Sequence, residues 1–299
     1  MVAGWPVPEP EHPGPLPAVP ARLARPRLGA GRFSRCRVAV DEPRWWPGHV
    51  GDEGDPAVTR AEDRPAFYAR GAGNGGVRDW VTLLHPPYTA WHLSYVAIGA
   101  ALAPHFVAWR LGGTLVAFFL AVGVGAHALD ELAGRPLQTG IPAAALAIAA
   151  GVGVTVPVVA GLLYGGMRLL PFVVAGVVLV LAYNLELGRG ILHNAAGFAL
   201  GWGAFPVLTG YYAQDFRLGG AAVMAAVAAF FLSLGQRALS LPARTLRRRT
   251  QSVQGRIIYR DGAQAKLDRN SLLEPLENGL RAVAFGLVTL ASAMVASRL

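Results

Sequence analysis

Asp130 and Glu131 sit side by side in "GVGAHALDELAGRPLQTGIP", residues 123–142, between two long apolar runs. Charged side chains beside a bilayer need a reason. Two readings are open: the pair holds a metal ion for chemistry, or it marks where a helix leaves the membrane. On a helix, neighbours point about 100° apart, a poor geometry for two ligands of one ion. His127, three residues before Asp130, falls on nearly the same face. It could bind a softer metal, donate to a phosphate, or act as a hydrogen-bonded structural residue. A basic set accompanies them. Arg135, Arg237 and Arg244 offer planar, multi-donor contacts to phosphate, and each equally suits an interfacial anchor. Polar groups at or near bilayer depth are His92, Asn184, Glu186, His193 and Asn194. Tyr212 is one of several aromatics that fit either an interfacial belt or a cavity wall.

Long apolar elements must position these groups. The chain has 299 residues, 53% hydrophobic and 15% charged, with mean hydropathy +0.39. Residues 1–82 are rich in Pro, Gly and Arg and are expected to be a disordered cytoplasmic arm, because such a segment buries too little apolar surface to offset chain entropy. It has no apolar core of a secretory signal. A single cysteine, Cys36, excludes an internal disulfide framework. Beyond residue 83, apolar stretches of about 20 residues recur, the length that crosses a hydrocarbon core. They predict an all-α polytopic bundle of seven spans, at roughly 88–108, 112–130, 142–164, 169–186, 192–212, 219–240 and 279–297.

Charge sets the expected orientation. The formal charge of +9 comes without a recognition helix or aromatic-basic strand pattern, so nucleic acid is not an expected partner. Arginines concentrate in the amino-terminal arm and in a long polybasic loop at about 241–278. By the positive-inside rule both lie in the cytoplasm, for a protein of the bacterial plasma membrane. Asp130, at the end of the second span, then shares a face with that loop. "RTLRRRT" (244–250) is either an anchor for anionic lipid headgroups or a clamp for a diphosphate. A transporter is disfavoured: no repeated half is evident and no ion relay can be drawn.

Four stretches carry a family likeness: "LLHPPYTAWHLSYVAIGAALA", "HALDELAGRPLQTGI", "HNAAGFALGWGAFPVLTGYYAQ" and "LSLGQRALSLPARTL". In order and spacing the chain resembles the UbiA superfamily of intramembrane prenyltransferases over roughly residues 83–248. The resemblance implies a helical bundle that moves an isoprenoid from its diphosphate to an acceptor at the cytoplasmic face. It implies Mg2+ held by Asp130 and Glu131, with Asp130, Arg135 and Arg237 as catalytic residues and His127, Asn194, Tyr212 and Arg244 binding substrate. The departures are specific. Where the family's first motif opens on Asn-Asp this chain has Ala126 and His127, and Gly134 stands at the next Asp. In the second motif Gln236 and Arg237 fit, but Ala238 replaces an Asp and no carboxylate occurs between 216 and 260. The family has nine helices where seven are expected here. A member of the fold that binds a lipid or partner without catalysis is the alternative that these departures imply.

Overall fold

Segments apolar on every face must bury against each other or against lipid, and a helix satisfies their backbone within the segment. The computed structural model describes residues 65–69 and 73–299. Helix α1 is Val77–Leu83 and α2 is Pro86–Leu102. Helix α3 runs from Ala108 to Leu132 and includes a π-helical stretch, Phe119–Ala126. Helix α4 is Ala143–Gly165 and α5 is Leu170–Asn184. Helix α6 covers 195–215, with a second π-helical stretch at Leu200–Ala204. Helix α7 is Gly220–Arg248 and α8 is Arg269–Ala296.

Helices therefore occupy all seven expected regions. Four are long and apolar enough to cross a membrane: Ala108–Leu132, Ala143–Arg168, Gly220–Arg248 and Arg269–Ala296. Helix α5 is apolar but shorter. The described chain is thus consistent with a helical membrane protein, with four helices meeting that length rather than seven.

Three boundaries differ from expectation. The last part of the 1–82 arm is helical as α1, while most of the arm, with Cys36, lies outside the described residues. The loop expected from 241 is instead helix as far as Arg248. Helix α7 carries Pro242 inside it and ends with Arg247 and Arg248 in its last turn, where cations favour the helix dipole. What remains of the loop carries an antiparallel hairpin, β1 (Gly255–Ile258) with β2 (Gln264–Leu267), the one sheet among the described residues. Helix α8 then starts ten residues early on a capping box, in which the Asp268 side chain accepts from Ser271 N and Ser271 Oγ accepts from Asp268 N.

Close packing uses small residues. Helices α2 and α6 cross where Gly99 meets the Val207 carbonyl and Gly210 meets the Val96 carbonyl; a Cβ at either glycine would collide with that oxygen. Tyr95, buried on α2, accepts from Trp91 Nε1 at 2.6 Å and from Ser233 Oγ of α7 at 3.3 Å. Far-end contacts show the helices alternating in direction. Tyr164 donates to the Ala213 carbonyl, Tyr212 to the Arg168 carbonyl and Arg298 to the Ala103 carbonyl. The end of α3, the start of α2 and the carboxyl half of α7 gather at the opposite end.

Candidate functional site

At that end a cavity of about 370 Å³ opens between α2, α3, α5, α6, α7 and α8. Its basic wall comes from one helix face. Arg237, Ser240, Arg244 and Arg248 recur on α7 at intervals of three or four, so they stack above one another, with Gln236 beside them. Arg237 donates to Tyr183 Oη at 3.0 Å and lies 5.6 Å from the centre of the Phe198 ring. Arg248 Nε donates to the Pro65 carbonyl at 3.0 Å. Arg247 is committed elsewhere: its guanidinium grips Glu277 through two hydrogen bonds, the second at 2.9 Å, and both side chains are nearly buried.

The opposite wall follows from the π-helical stretch in α3. A π turn adds a residue without ending the helix and so re-aims the side chains that follow, and such turns recur at functional sites. His127 directly follows it, with Nδ1 3.1 Å from the Gly123 carbonyl, and its ring stacks on His85 at 4.2 Å between centres. His85 caps α2 ahead of Pro86 and Pro87 with φ +46°, which turns its ring inward. Tyr68 Oη lies 2.8 Å from His85 Nδ1. Burial pulls the His85 imidazole well below its usual range, and the neighbouring His127, Arg248 and Arg244 add to this. Burial likewise pushes the Tyr68 phenol up. Asp130 completes this wall.

Of the expected site residues, the cavity brings together His127, Asp130, Arg237 and Arg244. It does not include four others. Glu131 is fully buried, and its two carboxylate oxygens accept from Leu137 N (3.0 Å), Thr139 N (2.9 Å) and Thr139 Oγ1 (2.8 Å). That is an anchor for the loop after α3, not a metal ligand beside Asp130. Arg135 works in the same loop, donating to the Thr139 and Ile141 carbonyls. Asn194 caps α6, its side chain accepting from Gly197 N at 2.9 Å. Tyr212 stands at the far end, stacked on Phe172 at 4.5 Å. Adjacent residues on a helix diverge, so the acidic pair splits between two tasks.

Sequence reasoning missed His85 and Tyr68 in the cavity, and named Gln236 and Arg248 only within motifs, not as site residues. It also missed Asp79, whose carboxylate accepts from Gly75 N and Gly140 N and pins the same loop as Glu131. The Gln-Arg to Arg-Arg repeat was readable only if α7 had been extended through Pro242.

The donor set bears on the implied metal. Among the described residues no three His, Cys, Asp or Glu are grouped so as to hold a metal ion. With Glu131 in the loop and Glu277 on Arg247, Asp130 is the carboxylate left facing the cavity without a hydrogen bond among the described residues. Magnesium shared between protein carboxylates and phosphate does not fit that set.

A second cavity adjoins the first. It is an apolar groove of about 140 Å³ between α3, α4, α5 and α6, walled by Phe118, Val122, Phe172 and Phe205. Trp202, in the π-helical stretch of α6, lines both. No protein-family model, curated protein or solved structure matches this chain.

Proposed function

We propose that this protein is a UbiA-like intramembrane prenyltransferase, binding an isoprenoid diphosphate with its headgroup in the basic cavity and its chain in the apolar groove. One observation carries the reading: Trp202 is a wall shared by a guanidinium-lined cavity and an apolar groove. An amphiphile with an anionic head and a hydrocarbon tail matches both halves at once. In this reading all seven long helices span the bilayer of a bacterial plasma membrane, and the cavity and amino terminus face the cytoplasm. The hairpin supports that sidedness. Ile258 and Tyr259 are exposed beside Arg256, Arg260 and Lys266, a surface suited to anionic lipid headgroups.

The chemistry follows from the lining. The allylic C–O bond breaks with both electrons leaving on the diphosphate, whose charge the guanidinium groups neutralise. The allylic cation faces the rings of Trp202, Phe198 and Tyr183, which attract positive charge. The acceptor forms the new bond to that carbon and loses a proton, which Asp130 takes. The test is to incubate membranes containing the protein with a labelled allylic diphosphate and an aromatic acceptor, following diphosphate release. Release that disappears in Asp130→Ala supports the proposal; the absence of release across chain lengths and acceptors refutes it. A non-catalytic lipid-binding member of the fold is the second reading, favoured by the single free carboxylate that the described residues place in the cavity.

A further inference from the structure

The anion site proposed above contains its own countercharge. Arg244 and Arg248 are separated by one turn, about 6 Å along the helix axis, and Arg237 lies two turns below Arg244 on the same face. Among the described residues Arg244 has neither a hydrogen-bond nor an ion-pair partner. Next to Arg237, and one turn before Ser240 on the cavity wall, stands an unexplained polar group. Gln236 is 3% exposed, and its side-chain Oε1 is buried without a partner. Buried amides are almost always hydrogen-bonded, so an orphan facing a cavity points to a missing ligand or water. Oxygen and nitrogen of such an amide exchange by a simple flip, so it serves a phosphate as a donor as readily as a protonated oxygen as an acceptor.

Carboxylates are scarce by comparison. Glu131 is saturated by three donors, and Glu277 is held by Arg247, with Arg281 a further 3.7 Å contact. Among the described residues, a divalent ion bridging protein to phosphate would have Asp130 alone as an anionic ligand. Guanidinium groups bind phosphate directly and bidentately, with no ion between. We infer that the cavity binds a phosphorylated headgroup without a divalent metal ion, through Arg237, Arg244, Arg248 and Gln236, and that Asp130 opposes the bound charge. This rests on the anionic-headgroup reading of the same site, and departs from the metal-bridged site that the family resemblance implies.

The experiment is equilibrium binding to the purified full chain in detergent, with farnesyl diphosphate and inorganic diphosphate as separate probes. Each is titrated in chelator and again in millimolar magnesium. The expected result is binding in chelator, with no more than about a twofold gain from magnesium. Arg244→Ala weakens it about tenfold or more, the size of a lost charge-assisted hydrogen bond. Asp130→Asn tightens it roughly threefold, because one screened like charge is removed. Stronger binding of the farnesyl probe assigns the site to a lipid headgroup, and equal binding to free diphosphate; both support metal-free recognition. Binding seen only with magnesium and lost in Asp130→Asn overturns the inference and leaves the proposed function standing. Failure of both probes in every condition removes both. Arg244 is exposed on α7, and a melting curve for each variant separates lost binding from lost folding.

Discussion

Replacing Glu131 by alanine should unfold the loop behind the cavity, while the same change at Asp130 should not. Glu131 accepts hydrogen bonds from Leu137 N, Thr139 N and Thr139 Oγ1 at 2.8–3.0 Å and is fully buried. Its removal strands two buried backbone donors at about 1–3 kcal/mol each, whereas the threonine hydroxyl can rotate to another partner. The expected loss is about 2–6 kcal/mol. For a chain of this size each kcal/mol is worth roughly 2–4 °C, so the melting temperature should fall by about 5 °C or more. Asp130 makes no hydrogen bond among the described residues, and Asp130→Ala should stay within about 1 kcal/mol of the parent. Thermal unfolding of the full chain in one detergent, with limited proteolysis between residues 133 and 141, reads both effects. Equal melting of the two variants, or a lower value for Asp130→Ala, would refute the division of labour between these neighbours.

Other outcomes follow from the packing. Gly210→Val drives a side chain into the Val96 carbonyl of α2 and should cost about 1–3 kcal/mol or more; Gly112→Ala, which meets nothing within 4 Å, should be silent in the same melting assay. Arg247→Ala leaves Glu277 at 7% side-chain exposure without its closest partner. It should destabilise by about 3–5 kcal/mol, and Arg247→Met with Glu277→Leu should restore most of that. The His85 imidazole is held neutral, well below its usual range. The unfolded chain therefore binds a proton first, so stability is full above about pH 6.5 and is lost as pH falls below it. A melting series from about pH 8 to 5 should show this slope reduced in His85→Asn.

Much of the architecture can be read from hydropathy. Each expected apolar region contains a helix, because such segments have no other way to satisfy their backbone in a bilayer. The exit of α7 is hidden by Pro242 and by a run of arginines that resembles a loop, yet the run lies at a helix terminus that favours cations. In the cavity, His127 and Asp130 are legible because helical spacing predicts their shared face, and Arg237 and Arg244 because arginines that could hold a phosphate stand out in the sequence. The job of Glu131 is not. Its partners come six and eight residues later, in a loop where Arg135 and Gln138 adopt positive φ. Tyr212 misleads for the opposite reason: it is aromatic and near a span end, but the wrong end, stacked on Phe172. His85 carried a signal, a histidine before a Pro-Pro helix start, whose inward turn depends on a left-handed backbone that no composition rule fixes.

The central claim is that one amphiphile occupies the basic cavity and the apolar groove together, across Trp202. Photo-crosslinking tests it directly, with an isoprenoid diphosphate carrying the reactive group near the head in one probe and at the chain terminus in another. Head labelling should fall on residues 236–248 of α7, and chain labelling on Phe172, Trp202 and Phe205. Labelling of the outward-facing Ile148, Val156 and Leu163 by both probes alike would contradict the account.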